Sequence, residues 1–255
     1  MKYTQQEIVD KVKAVPYWGH SIPLPFGIVT PGLVMKNDKT LIHLNMPADL
    51  SGKRILDVGT WDGFYAFEAE RRGAEVVAID NLERMKIPSE RQFASKGNKG
   101  FETAKDILNS NVTFCNTSVY DVTPEWFGMF DITLLLGVLY HLKHPMLALE
   151  KIAAVTSDAI FIESAWFRSI SRLPMWRYMG GGGFNGDPTN WFMFNTPAIV
   201  QMLKHAGFPK VDILYRTPLS PISIGKGLYF NKHSLRHFWN SSVWGCGRII
   251  VRGTK

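Results

Sequence analysis

The stretch RILDVGTWDGFYAFEAERRGAEVVAID, Arg54 to Asp80, decides how this chain folds. Ile55, Leu56 and Val58 form a short apolar run between Gly52 and Gly59, as expected of a parallel-sheet strand covered on both faces. Gly59 permits a sharp turn and Gly63 a close backbone approach. From Phe64 to Arg72 the residues favour a helix, which Gly73 ends. Val76 to Ile79 make a second buried strand, and Asp80 closes it about 20 residues past the turn, where such βαβ units place a carboxylate for ribose hydroxyls. Asp57 lies near the carboxyl end of the first strand, the edge at which α/β sheets bind ligands.

The spacing sorts the ligands. A dinucleotide fingerprint needs glycines at 59, 61 and 64, but Trp61 and Phe64 occupy the last two. An indole where a pyrophosphate must approach the backbone excludes that ligand and leaves room for one without phosphates. No phosphate-binding G-x4-G-K-S/T loop occurs. What remains is D-V-G-x-x-x-G followed by an acid.

That pattern resembles motif I of class I S-adenosylmethionine (SAM) methyltransferases. The helix start near Gly63 offers N–H groups and partial positive charge to a carboxylate. Asp57 suits an ammonium and Asp80 a ribose diol. A second segment, FDITLLLGVLYHLKHP from Phe130 to Pro145, is similar to motif IV of the same family, with Gly137 breaking the strand beside the reacting methyl. With the preceding SVYDVTPEWFGMFD, it looks closest to the branch holding tRNA wobble-uridine carboxymethyltransferases and small-molecule methyltransferases. The likeness spans roughly Ser51 to Phe208. It implies that Ser118 and Val119 hold the adenine, and that the sheet has seven strands with an antiparallel hairpin at one edge. The carboxymethyl enzymes carry a lysine for the extra carboxylate of carboxy-SAM soon after a segment like Pro16–Trp18. Here PYWGHSIPLPFG follows, with no lysine between Lys13 and Lys36. An unpaired buried carboxylate is costly, which favours ordinary SAM as cofactor.

The organisation follows. Thr4 caps a helix through Val12 with Ile8, Val9 and Val12 as its apolar face, and Pro16 ends it. Residues 1–50 form this helix and a Pro-, Gly- and aromatic-rich cover, and 51–255 the cofactor domain. A third strand is expected over Val112–Cys115, and a helix from Pro145 with Met146, Leu147, Leu149 and Ile152 on one side. The fifth strand is expected over Ala159–Ile162, with Glu163 at its end. After a helix over Pro197–Ala206, Val211–Leu214 and Arg248–Val251 read as the last two strands. Alternating strands and helices indicate a doubly wound, Rossmann-like α/β fold with a mostly parallel sheet. About 164–196 the alternation breaks into an aromatic lid insertion around Gly180–Gly183.

Methyl transfer needs alignment and, for an oxygen or nitrogen acceptor, a base. His141 after the fourth strand is the candidate base, and Tyr140 orients cofactor or acceptor. Trp61, Phe64 and Tyr140 suit a sulfonium. Tyr17, His20, Trp166, Trp176, Tyr178 and Trp191 are candidate acceptor-pocket residues, with Glu163 a lesser one. No metal-ligand spacing stands out; His233 and His237 read as a solvated face.

Net charge is +7, and from Gln201 onward nine Lys and Arg face the single acid Asp212. Interleaved with Tyr229, Phe230, Phe238, Trp239 and Trp244, this basic part suits an anionic partner, or is simply spread over the surface. A small-molecule acceptor is expected first and tRNA second. A non-catalytic SAM- or RNA-binding module is the reading from another class. Two cysteines, no apolar run of membrane-spanning length and no signal-peptide pattern suggest a cytoplasmic protein. Acceptor atom and oligomeric state stay open.

Overall fold

In the computed structural model, which describes residues 2–32, 38–83, 98–180, 187–218 and 246–255, the apolar runs become the centre of one nine-stranded sheet. β1 (Arg54–Val58) pairs in parallel with β2 (Glu75–Asp80) on one side and β4 (Phe130–Leu136) on the other. β3 (Thr113–Asn116) flanks β2, and β5 (Thr156–Phe167) flanks β4, both in parallel. Beyond β5 the sheet turns antiparallel, through β9 (Cys246–Thr254) to β8 (Lys210–Arg216).

Alternation along each strand sends side chains to two cores. Leu56, Val58, Ile160 and Ile162 pack with α6 (Pro145–Val155) and α7 (Thr196–His205) on one face. Ile55, Val76, Ala78 and Phe161 pack on the other with α1 (Gln5–Ala14), α3 (Phe64–Arg71) and α4 (Lys99–Leu108). Two short helices, α2 (Asp38–Leu44) and α5 (Pro124–Phe127), complete the described α-helices.

Seven strands were expected; the additional two are β6 (Trp176–Tyr178) and β7 (Phe192–Phe194). They form a hairpin in which Trp176 faces Phe194 and Tyr178 faces Phe192. The reason lies in β5. It does not end at Glu163, where its pairing with β4 stops, but runs on to Phe167, because β9 pairs with it over Ala159–Phe167. β7 then takes the edge that β4 leaves, opposite Trp166. The first residues of the expected insertion are therefore sheet. On α6 the buried stripe is Ala148, Leu149, Ile152 and Val155, whereas Leu147 is exposed.

Thr4 caps α1 as expected, accepting from Glu7 N–H while Glu7 accepts from Thr4 N–H. Past α1, Trp18 is buried and donates to the Val12 carbonyl at 3.1 Å. The cover then doubles back in a small loop closed between Pro23 and Val29.

Candidate active site at the switch between β1 and β4

Chain order reverses between β1 and β4, so the crevice at their carboxyl ends is where an open α/β sheet holds a ligand. The turn after β1 builds one wall. Gly59, Trp61 and Gly63 alternate at φ values of 72°, 53° and 89°. A Cβ on Gly59 would sit 2.4 Å from Val138 Cγ2, so the turn lies directly against the segment after β4. For a bulky residue such as Trp61 the left-handed conformation is strained, of order 1–3 kcal/mol, and persists only under constraint. Asp80 Oδ2 supplies that constraint by accepting the Trp61 N–H at 2.9 Å, while Oδ1 accepts from Asn81 N–H.

Asp57 is buried at the end of β1, and its Oδ2 has no hydrogen-bond partner among the described residues; nor has the buried Thr60 Oγ1. Burial pushes the Asp57 carboxyl up to about 6, with Thr60 and His20 pulling it down and Asp80 adding to the rise. A buried carboxylate oxygen without a donor is costly to leave unpaired.

The cover closes the same wall. Tyr17 stacks on Trp61 with ring centres 5.8 Å apart, and the His20 ring lies edge-on to Trp61 and stacked on Phe64. Burial, reinforced by Asp62, pushes the Tyr17 phenol up to about 12. Asp62 does not cap α3, whose N-cap is Gly63; its carboxylate takes both the His20 backbone N–H, at 2.6 Å, and His20 Nδ1, at 2.5 Å.

The opposite wall follows β4. Gly137, at φ 76°, donates to the Glu163 carbonyl, and a Cβ there would lie 3.8 Å from Arg248 Nη2, Glu163 Oε2 and Tyr140 Oη. These three form one cluster. Arg248 grips Glu163 through Nε and Nη2, and Nη2 also donates to Tyr140 Oη at 3.2 Å. Burial works against the Arg248 charge, but Tyr140 and Glu163 more than offset it and hold the guanidinium above its ordinary value. Burial likewise raises the Tyr140 phenol. His141 Nδ1 meets the Thr189 carbonyl at 3.1 Å and hydroxyl at 3.0 Å, and Trp191 N–H donates to the Tyr140 carbonyl. The segment 187–191 is thereby strapped to the turn after β4.

The remaining expected residues are spread out. Ser118 accepts from Tyr120 N–H in its own turn, and Val119 packs into the core. Trp166 is core, its indole donating to Thr196. Trp176 and Tyr178 lie exposed on the hairpin, and Trp191 sits under Lys143 Nζ, 4.8 Å above its ring. The aromatic run Tyr229–Trp244, His233, His237 and Gly181–Gly183 fall outside the described residues. Sequence reasoning missed the His20–Asp62 pairing and the Arg248 partner of Glu163. Nothing local marks contacts 42 and 85 positions apart.

Known proteins resemble this chain in sequence and in fold. A tRNA U34 carboxymethyltransferase of Saccharophagus degradans is 28% identical over 182 residues, 68% of this chain and 49% of that one. One of Campylobacter hominis is 29% identical over 123 residues, 45% of this chain and 39% of that one. The chain spans about half the length of the curated relatives it matches. The N-terminal domain of EvdMO1, crystallised in the presence of SAH and D-fucose, superposes with a TM-score of 0.67 at 18% identity, covering 99% of this chain and 97% of that one; this likeness is one of fold. A family described as "Methyltransferase domain" matches residues 37–213, well over half of the sequence, and the chain belongs to that family.

Proposed function

We propose that this chain is a SAM-dependent methyltransferase acting on a small-molecule acceptor. The observation that carries the reading is Asp57 Oδ2, a buried carboxylate oxygen without a donor at the carboxyl end of β1, next to the turn of Gly59 and Gly63. The residues fit SAM. Asp57 would hold its ammonium, the amide groups at the start of α3 its carboxylate, Asp80 the ribose diol, and the Ser118–Val119 backbone the adenine. Gly137 leaves space at the methyl end, and the faces of Trp61 and Tyr140 suit a sulfonium, at about 0.5–2 kcal/mol each. When bound, SAM supplies a methyl group on a good leaving group, so the protein's share is alignment. Tyr140 orients the reacting groups. His141 holds the 187–191 strap, which would bring Trp191 and the hairpin residues Trp176 and Tyr178 over the acceptor.

Ordinary SAM is favoured over carboxy-SAM. Arg248, the guanidinium beside Gly137, is already taken by Glu163, so it offers no unpaired charge to a second carboxylate. Isothermal titration with SAM should give one site, and Asp80→Ala should weaken it at least tenfold. Folded protein that takes up no SAM would overturn the reading, and binding without turnover on any acceptor would favour a non-catalytic module.

The curated relatives support a second reading, transfer to a tRNA wobble uridine. Copurifying tRNA released as salt rises would favour it; elution free of nucleic acid at low salt favours the small molecule. Both cysteines are free thiols, which accords with a reducing compartment such as the cytoplasm. Among the described residues no helix is long and apolar enough to cross a membrane.

A further inference from the structure

The His20–Asp62 pair is more than a clasp between cover and turn. A clasp needs only the backbone: Asp62 Oδ2 accepts the His20 N–H at 2.6 Å, and Thr30 Oγ1 donates to the His20 carbonyl at 2.6 Å. The second carboxylate oxygen goes instead to ring Nδ1, at 2.5 Å. Such a contact fixes the proton on Nδ1 and leaves Nε2 as the bare nitrogen. Asp62 is 3% exposed, so its charge acts in a dry setting. Phe64 stacks on the ring, while Trp61 and Tyr65 meet it edge-on, which holds its plane. Among the described residues nothing hydrogen-bonds Nε2.

The ring also packs against the turn that builds the β1 wall. It contacts Trp61, two residues from Gly59, and Gly59 abuts Val138 two residues before Tyr140.

The geometry points to His20 Nε2 as the proton acceptor of the transfer, with Asp62 as its positioning residue. This rests on the methyltransferase reading and narrows it to neutral acceptors that must lose a proton, hydroxyl or N–H compounds. His20 Nε2 takes that proton as the acceptor's electron pair goes to the methyl carbon and the carbon–sulfur pair goes to sulfur. The imidazolium then gives its proton to water.

The full chain loaded with S-adenosylhomocysteine (SAH) tests this without any acceptor. Nitrogen-15 NMR of labelled histidines should find His20 as the Nδ1–H tautomer, and Asp62→Asn should lower that tautomer's share. Diethylpyrocarbonate, mapped by mass spectrometry, should modify His20 in the SAH-loaded protein. His20→Gln should leave SAH affinity within threefold of the parent. An Nε2–H tautomer in the parent protein, an unmodified His20, or a tenfold loss of SAH affinity in His20→Gln would overturn the assignment, the last by making His20 a cofactor anchor. Absence of SAH binding to the parent chain would instead remove the methyltransferase reading, whatever the tautomer.

Discussion

The two walls of the crevice are built in opposite ways. The frame of the β1 wall is local: turn, helix α3 and β2 lie within 27 residues, Arg54 to Asp80, its strained Trp61 is held by an acid 19 positions away, and the cover reaches it from outside that stretch. The β4 wall is assembled from afar. Tyr140, Glu163 and Arg248 meet only because β9 returns antiparallel along β5, and the strap 187–191 ties onto Tyr140 and His141. The first wall can form early from short loops, whereas the second waits on long loop closure. The difference predicts that one buried ion pair governs the far wall, while the near wall answers to several small local terms.

The largest expected effect follows from that pair. Arg248→Ala leaves Glu163, 8% exposed in its side chain, without a counter-charge. Removing one partner of a buried pair costs about 3–5 kcal/mol, and the partial exposure of Arg248 puts this case near the lower end, about 3 kcal/mol. Urea unfolding should register that loss. A double replacement of Glu163 and Arg248 by methionine should recover most of it, which would mark the cost as an orphaned charge rather than lost packing. Recovery absent, the far wall depends on something other than the pair.

Asp57→Asn probes the near wall with the opposite sign. The carboxyl rises from 3.8 to about 6 in the folded protein. Its favourable share is present below pH 4 and lost as pH climbs through 6, so the ligand-free protein should weaken across that window. At roughly 1.4 kcal/mol for each tenfold change in proton affinity the full effect is near 3 kcal/mol, and an unpartnered amide reduces the gain from Asn to about 2 kcal/mol. Thermal melts from pH 4 to 7 should show a flatter profile for the variant and greater stability at pH 7. SAM binding should fall steeply in the same variant, because its cationic end has lost the carboxylate.

This contrast also explains what the sequence made legible. Leu56, Val58, Val76 and Ile79 declare their strands because a buried parallel strand must be apolar on both faces, and Gly59 and Gly63 declare the turn because both sit at positive φ. The extension of β5 was invisible. Ser164, Ala165 and Trp166 carry no run of β-branched residues, and they are strand because β9 pairs with them through Ile249, Arg248 and Gly247. Trp166 looked like a pocket residue for the same reason, since its burial depends on the non-local pairing. No local pattern marks the role of Asp62. Its true partner, His20, comes from a cover whose path over Trp61 has no periodic signature.

Within the near wall, Gly59→Ala should cost about 2 kcal/mol. The left-handed φ of 72° contributes roughly 1–2 kcal/mol, and the new methyl would press on Val138. Because Val138 belongs to the far wall, this is the one local change that should disturb both. Hydrogen exchange should loosen around 59–63 and around 137–141 together. Loosening confined to the turn would mean that the walls are independent.

Thr4→Ala is the smallest test and the most selective. It removes a reciprocal cap on α1, worth about 1 kcal/mol. Helix α1 carries Ile8 and Val12 into the core, and Lys11 pairs with Asp106 on α4. Loss of the cap should therefore fray the first turn while the rest of α1 stays docked. Since Trp18 anchors the cover to the Val12 carbonyl in the last turn, His20 and Tyr17 should keep their places on Trp61. Amide exchange should quicken at residues 5–8 and remain unchanged along β5 and β9, with SAM affinity within twofold of the parent. Faster exchange at 17–20 would instead mean that the cover is held over the turn by the helix start, and that the near wall extends further toward the N-terminus than its hydrogen bonds indicate.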